Sequence, residues 1–190
     1  MTLVELLVAA TVMSIGVAMF ITILGSVQVG VIRQERRSQS VDQARLAVEN
    51  IDREIRSGNK LYDPATEQPG GFEGDVLRVY TQTNGNTRTP SNQCIRWRVK
   101  NRVLERQAYY VSGGSPVIVS PWSTVAEGIV NRDLATPTFQ TTPDGRLLTV
   151  TLLVNPALGE WDGSKTQTLT TSIAIRNSAT GDPCTPTPGW

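Results

Sequence analysis

The chain has 190 residues, with 18 Lys and Arg against 17 Asp and Glu, so its net charge of +1 gives no global field that would draw nucleic acid or an anionic surface. It contains no histidine, which removes the usual general base and the commonest metal ligand, and with them the Ser-His-Asp and Cys-His arrangements. No phosphate-binding loop, dinucleotide fingerprint or zinc-protease motif occurs, so the expectation is a non-enzymatic protein with no cofactor and no metal.

Apolar residues are 39% of the chain but unevenly spread. From Leu6 to Ile32 there is no charged residue: LLVAATVMSIGVAMFITILGSVQVGVI. A helix of that length covers roughly 40 Å, more than the ~30 Å hydrocarbon core of a bilayer. No Lys or Arg precedes the run, and the run is too long for the apolar region of a secretory signal. Arg33, Arg36 and Arg37 follow it. For an ordinary signal-anchor they would hold the rest of the chain in the cytoplasm. A basic leader removed from in front of Met1 would reverse that orientation.

Glu5 breaks the apolar rule. A carboxylate in hydrocarbon costs roughly 2.5 kcal/mol or more and is normally kept for a partner. No cation lies within the apolar segment, so the available partner is an α-amino group at residue 1, its own or that of another copy. The alternative is a glutamate that reaches the interface from near the chain end.

Beyond the apolar run, Val41, Ala44, Val48, Ile51 and Ile55 step by three and four, which predicts an amphipathic helix from about Arg33 to Arg56. Glu49 with Arg53 and Asp52 with Arg56 are acid-first pairs on its wet side, and Ser57-Gly58-Asn59 is a stop. One helix from Thr2 to Ser57 is expected, followed by a loop over 61–74 with Pro64, Pro69, Gly70 and Gly71.

After Gly74 the pattern alternates. Strands are predicted at 75–82, 94–100, 102–110, 115–119, 137–142, 146–155 and 166–177. Asn84-Gly85, Gly113-Gly114, Asp144-Gly145 and Asp162-Gly163 supply turns between them. The segment 125–134 reads as a short strand or a helical turn, and the tail GDPCTPTPGW as extended. Cys94 and Cys184 are too far apart for a metal or redox motif. They are either two buried thiols or, in an oxidising compartment, a disulfide contributing about 4 kcal/mol.

In the strand from Cys94, Ile95, Trp97 and Val99 face one side. Arg96, Arg98 and Lys100 face the other, with Arg102 and Arg106 nearby. Such a basic face beside an aromatic can bind single-stranded DNA, though a positive strand face also protects a sheet edge from pairing. Trp122, Trp161 and Trp190 read as packing residues. Asp144, Glu160 and Asp162 read as turn residues rather than calcium ligands.

The stretch TLVELLVAATVMSIGVAM resembles the processed N-terminus of the type IV pilin and type II secretion pseudopilin superfamily. Residues 2–9 match its pattern throughout, with Glu5 on the acidic position, Met1 where phenylalanine is usual, and Thr22 where many major subunits have proline. The helix end AVENIDREIRSGN, the CIRWRV…VLERQ hairpin and the pair LLTVTLLV…TLTTSIAIRN more loosely resemble the pseudopilin J and minor pilin W group. The resemblance implies cleavage by a prepilin peptidase just before Met1 and N-methylation of Met1. It implies a helical homo-oligomeric filament in which Glu5 neutralises the Met1 amine of a neighbour. It further implies other pilins and the assembly machinery as partners, the cytoplasmic membrane before assembly, and the cell surface after it. A secretion or DNA-uptake subunit and a single-pass anchored binding protein are the alternatives.

The expected fold is therefore α+β: a long N-terminal hydrophobic helix packed on a mostly antiparallel β-sheet head. Its expected parts are a filament-core half-helix over 1–32 and an amphipathic half over 33–57. A connecting loop over 58–74, a β-rich head over 75–177 and a tail over 178–190 follow.

Overall fold

A computed structural model of the chain describes residues 2–67, 74–82, 92–155, 166–175 and 183–185, apart from the side chains of Arg33, Gln82 and Asn92. Internal contacts divide the chain into two units, residues 1–39 and residues 40–190. A single helix, α1 (Leu3–Ser57), runs through both. Among the described residues eight strands follow: β1 (Gly58–Leu61), β2 (Val76–Gln82), β3 (Asn92–Lys100), β4 (Val103–Ser112), β5 (Ser115–Glu127), β6 (Phe139–Thr141), β7 (Leu147–Val154) and β8 (Gln167–Ala174).

Strands β1 to β5 pair in chain order into one antiparallel sheet, and β6 to β8 into a second. The α+β class and the antiparallel pairing agree with expectation. The connecting loop does not begin at 58: Gly58 to Leu61 continue straight from the helix into the first strand. Gly58 permits that join because a Cβ there would meet Val79 Cγ1 at 2.7 Å.

Among the described residues, 40–190 hold a main core and a smaller cluster of Tyr62, Cys94, Tyr109 and Cys184. Helix residues Ala44, Ala47, Ile51 and Ile55 pack with Leu77, Val79, Ile95, Trp97 and Leu104 of the first sheet. Phe139, Leu148, Val150, Leu152 and Ile173 of the second sheet complete it. Ala47 takes a buried place that the sequence pattern gave to Val48, which is only partly buried. On the wet side Asp52 and Arg56 pair at 2.8 Å, whereas Glu49 and Arg53 form no ion pair with each other.

Two hairpins set the first sheet's register. Gly113 and Gly114 take positive φ in the predicted two-residue turn. The turn between β3 and β4 uses Asn101 and Arg102, at φ 51° and 62°, without a glycine. The sequence reading had placed Arg102 in a strand. β5 is longer than expected and absorbs residues 125–127, after which Ile129 bridges to Val154 and residues 131–135 form a turn. Asn84-Gly85, Asp162-Gly163, Glu160, Trp161 and Trp190 lie outside the described residues.

Candidate functional site

Two places combine unusual chemistry with defined geometry: the N-terminal turn of the apolar helix and, within residues 40–190, the face of the first sheet that carries Arg96 and Cys94.

At the first, Thr2 and Glu5 cap the helix reciprocally. The Thr2 N–H donates to Glu5 Oε2 at 2.8 Å, and the Glu5 N–H donates to Thr2 Oγ1 at 3.4 Å. This is the Thr-x-x-Glu capping box, which satisfies donors that a helix start leaves open. Its sequence signal was legible, but reading Glu5 only as a charge missed it. Glu5 Oε1 has no partner among the described residues. Met1, the expected assembly and N-methylation residue, lies outside them.

From Leu3 to Ile32 the large apolar side chains are exposed on every side of the helix. The helix is long and apolar enough to cross a membrane, by length and composition. Its hydroxyls are satisfied internally: Thr11, Ser14, Thr22 and Ser26 donate to the carbonyls of Val8, Ala10, Ala18 and Ile23 at 2.8–2.9 Å. They therefore need no water, the condition for lying in hydrocarbon. Ala10, Ser14, Ala18, Thr22, Ser26 and Gly30 recur every fourth residue, forming a row low enough for another helix to approach closely.

At the second place, Cys94 and Cys184 form a disulfide with a Cα–Cα distance of 5.8 Å, which closes the alternative of two free thiols. The backbone of Cys184 is also held on both sides. Its N–H donates to Tyr62 Oη at 3.2 Å. Its carbonyl accepts from Tyr109 Oη at 2.9 Å and from Arg78 Nη1 at 3.3 Å. Arg78 lies over the Tyr62 ring, 3.7 Å from its centroid, and pairs with Glu67. The loop after β1 and the segment 183–185 thus cover the middle of this face.

That cover changes the reading of the basic strand. Arg96 and Arg98 do point away from Ile95 and Trp97, but the face is not an open, solvated strip. Arg96 is 0% exposed; its Nε donates to Gln107 Oε1 at 2.8 Å, and its guanidinium lies 4.7 Å from the Trp122 ring. Burial pulls its pKa down to about 10, with Tyr109 acting against that shift and Arg98 and Arg78 adding to it. Arg98 pairs with Glu105 at 2.7 Å and stacks 3.8 Å from Trp122. Arg102 pairs with Asp133 and Arg106 with Glu54, both at 2.7 Å. Lys100 is exposed and, among the described residues, stands outside these pairs. The proposed DNA-contact set Arg96, Arg98 and Lys100 is therefore not brought together at the surface.

Two buried carboxylates were not anticipated. Glu54 of the helix accepts from Trp97 Nε1 and Arg106 Nε, each at 2.7 Å. Burial raises its pKa, and Arg106 and Trp97 restrain that rise. Asp75, just before β2, has both carboxylate oxygens buried without a hydrogen bond among the described residues, with Arg132 Nε 3.3 Å away. Burial pushes its pKa up to about 6, against the pull of Arg132. Neither residue carried a sequence signal, because an acid at the edge of a strand or on a helix looks solvated until the covering element is placed. Among the described residues, no three His, Cys, Asp or Glu side chains gather as a metal site.

No protein-family model, curated protein or solved structure matches the chain.

Proposed function

We propose that the protein is a structural subunit of a type IV pilus-like filament, anchored in the cytoplasmic membrane by α1 and polymerising through it, with the β-rich head outside the cytoplasm. The observation that carries this reading is a helix exposed on all sides from Leu3 to Ile32, free of charge except for one carboxylate in its first turn. An all-round apolar helix needs hydrocarbon or other helices to cover it. A row of small residues favours close approach by copies of the same helix. Glu5 spends one oxygen on its own Thr2 N–H and keeps the other for the terminal amine of a neighbour, whose charge offsets its own. The Cys94–Cys184 disulfide suits an oxidising compartment.

The two duties of Glu5 can be separated. A glutamine keeps an acceptor for the Thr2 N–H but carries no charge, whereas alanine loses both. Under this reading, Glu5→Gln and Glu5→Ala both abolish filaments in sheared cell-surface material viewed by negative stain, while the protein stays in the membrane. Filaments at normal yield from Glu5→Gln would sink the charge-neutralisation mechanism. An unmethylated, uncleaved N-terminus by mass spectrometry, with no filaments from the unaltered chain, would leave only a membrane-anchored head.

A further inference from the structure

We infer that the β4–β5 hairpin is an interface arm, through which the open edge of β5 pairs with β5 of a second copy of this chain. Among the described residues, β5 forms the edge of the five-stranded sheet and pairs in the ladder with β4 alone, while its last residue, Glu127, donates its N–H to Gln43 Oε1 at 3.4 Å. Toward the Gly113-Gly114 turn the hairpin loses its cover. Val117, Ile118 and Val119 are 38%, 54% and 36% exposed, three in a row, so apolar side chains stand open on both faces of the strand.

An unpaired strand edge is a template for another strand, and proteins usually blunt it with charge. Here there is none: from Gln107 to Ala126 the sequence QAYYVSGGSPVIVSPWSTVA contains no ionisable acid or base apart from its tyrosines. That absence selects the occupant. Two identical edges meeting about a two-fold axis place each residue against its own kind or near it. Any charge on the edge would then face a like charge, which is destabilising. A neutral edge is one that can meet its own copy without penalty, whereas a partner chosen by opposite charge has nothing here to bind. Pro116 and Pro121 bracket the segment 117–120, and proline at an edge stops a ladder from spreading. The contact is thereby confined to one short antiparallel pairing rather than an open-ended stack. So brief a pairing is weak in dilute solution and is favoured when copies share a membrane, which is the only point at which it draws on the filament reading.

The test uses the full chain in the membranes of producing cells. A photo-cross-linking amino acid replaces Val117, and in a separate strain Val12 of the helix. Expected from position 117 is an adduct between two copies, mapped by mass spectrometry to residues 115–120 of the second. Ile118→Lys alone and Ile118→Glu alone should each reduce it several-fold, and co-producing the two variants should restore it, because opposite charges then face each other. Non-reducing gels showing the intact disulfide confirm that each variant is folded. Absence of the adduct, adducts with other proteins in its place, or no rescue by the mixed pair would overturn the proposal. Adducts from Val12 report helix association separately: losing them counts against the filament and leaves the β5 result standing.

Discussion

Trp97 donates its indole N–H to Glu54 Oε2 at 2.7 Å, joining the middle strand of the first sheet to the helix across the core. Arg106 reaches the other oxygen from the next strand. The carboxylate is thus shared by two donors and largely removed from water, so truncation leaves both of them short of an acceptor. Glu54→Ala should cost roughly 1–3 kcal/mol, because the Trp97 indole N–H and the part-buried Arg106 guanidinium both lose their acceptor. Glu54→Gln should cost less. Chemical denaturation of both variants, with tryptophan emission as the probe, gives the comparison.

Asp75 should make the head more stable in mild acid. Burial lifts its pKa to about 6 in the folded chain, well above the 3.8 of an ordinary aspartate, so the folded state holds a proton that the unfolded state releases. That contribution is full below pH 4 and is lost as pH rises through 6. By linkage it amounts to no more than about 3 kcal/mol. The difference in melting temperature between pH 5 and pH 7 should shrink in Asp75→Asn, which cannot titrate. An unchanged difference would place the pH dependence elsewhere.

Arg96 is a packing residue as much as a cation. Arg96→Ala removes the stem and guanidinium that fill the space between Gln107 and Trp122. It leaves the buried amide oxygen of Gln107 without that donor. A loss of roughly 2–4 kcal/mol follows, read from the denaturant midpoint. Arg96→Lys restores charge but not the planar stack, so it should recover only part of the loss.

Removing the disulfide should expose what it covers. In Cys184→Ala paired with Cys94→Ala, stability should fall by about 4.6 kcal/mol from the loop-closure entropy alone. The hydrogen bonds from Tyr109 and Arg78 to the carbonyl of residue 184 should keep the segment docked for part of the time. Limited proteolysis after reduction would show cleavage near residue 184 in the wild type, and the same cleavage without reduction in the double variant.

Gly74 joins the two sheets: its carbonyl accepts from the N–H groups of Thr138 and Phe139. It sits at φ +80°, and an added Cβ would lie 2.8 Å from both Phe139 O and Pro137 Cβ. Gly74→Ala combines backbone strain with a clash that neither neighbour can relieve cheaply. It should lower stability by more than about 2 kcal/mol, measured by thermal unfolding.

The helix was legible almost to the residue, since its apolar stripe from Val41 to Ile55 and its stop at Ser57 are local signals. Most strands after Gly74 were legible for the same reason, because alternation and turn residues lie close together in sequence, but β1 reads as loop and β5 as a much shorter strand. What stayed hidden depends on distant covering elements. Nothing near Arg96 says that Tyr62 and Cys184 will lie over its sheet, and nothing near Glu54 says that Trp97 will turn its nitrogen toward it. The Asn101-Arg102 turn was missed because positive φ was sought at glycines. Glu5 stands out in the sequence by its charge, which hides its second part as the capping partner of Thr2.

The stretch from Gln34 to Gln39 separates two differently solvated lengths of one hydrogen-bonded ladder. Its side chains are exposed all round, and no apolar residue lies between Ile32 and Val41. Amide exchange in a detergent micelle should therefore divide a single continuous helix into three kinetic classes. Amides before Ile32 are shielded by acyl chains and those after Val41 by the core. The few between them should exchange fastest, although nothing in the helix's hydrogen-bond pattern marks them out.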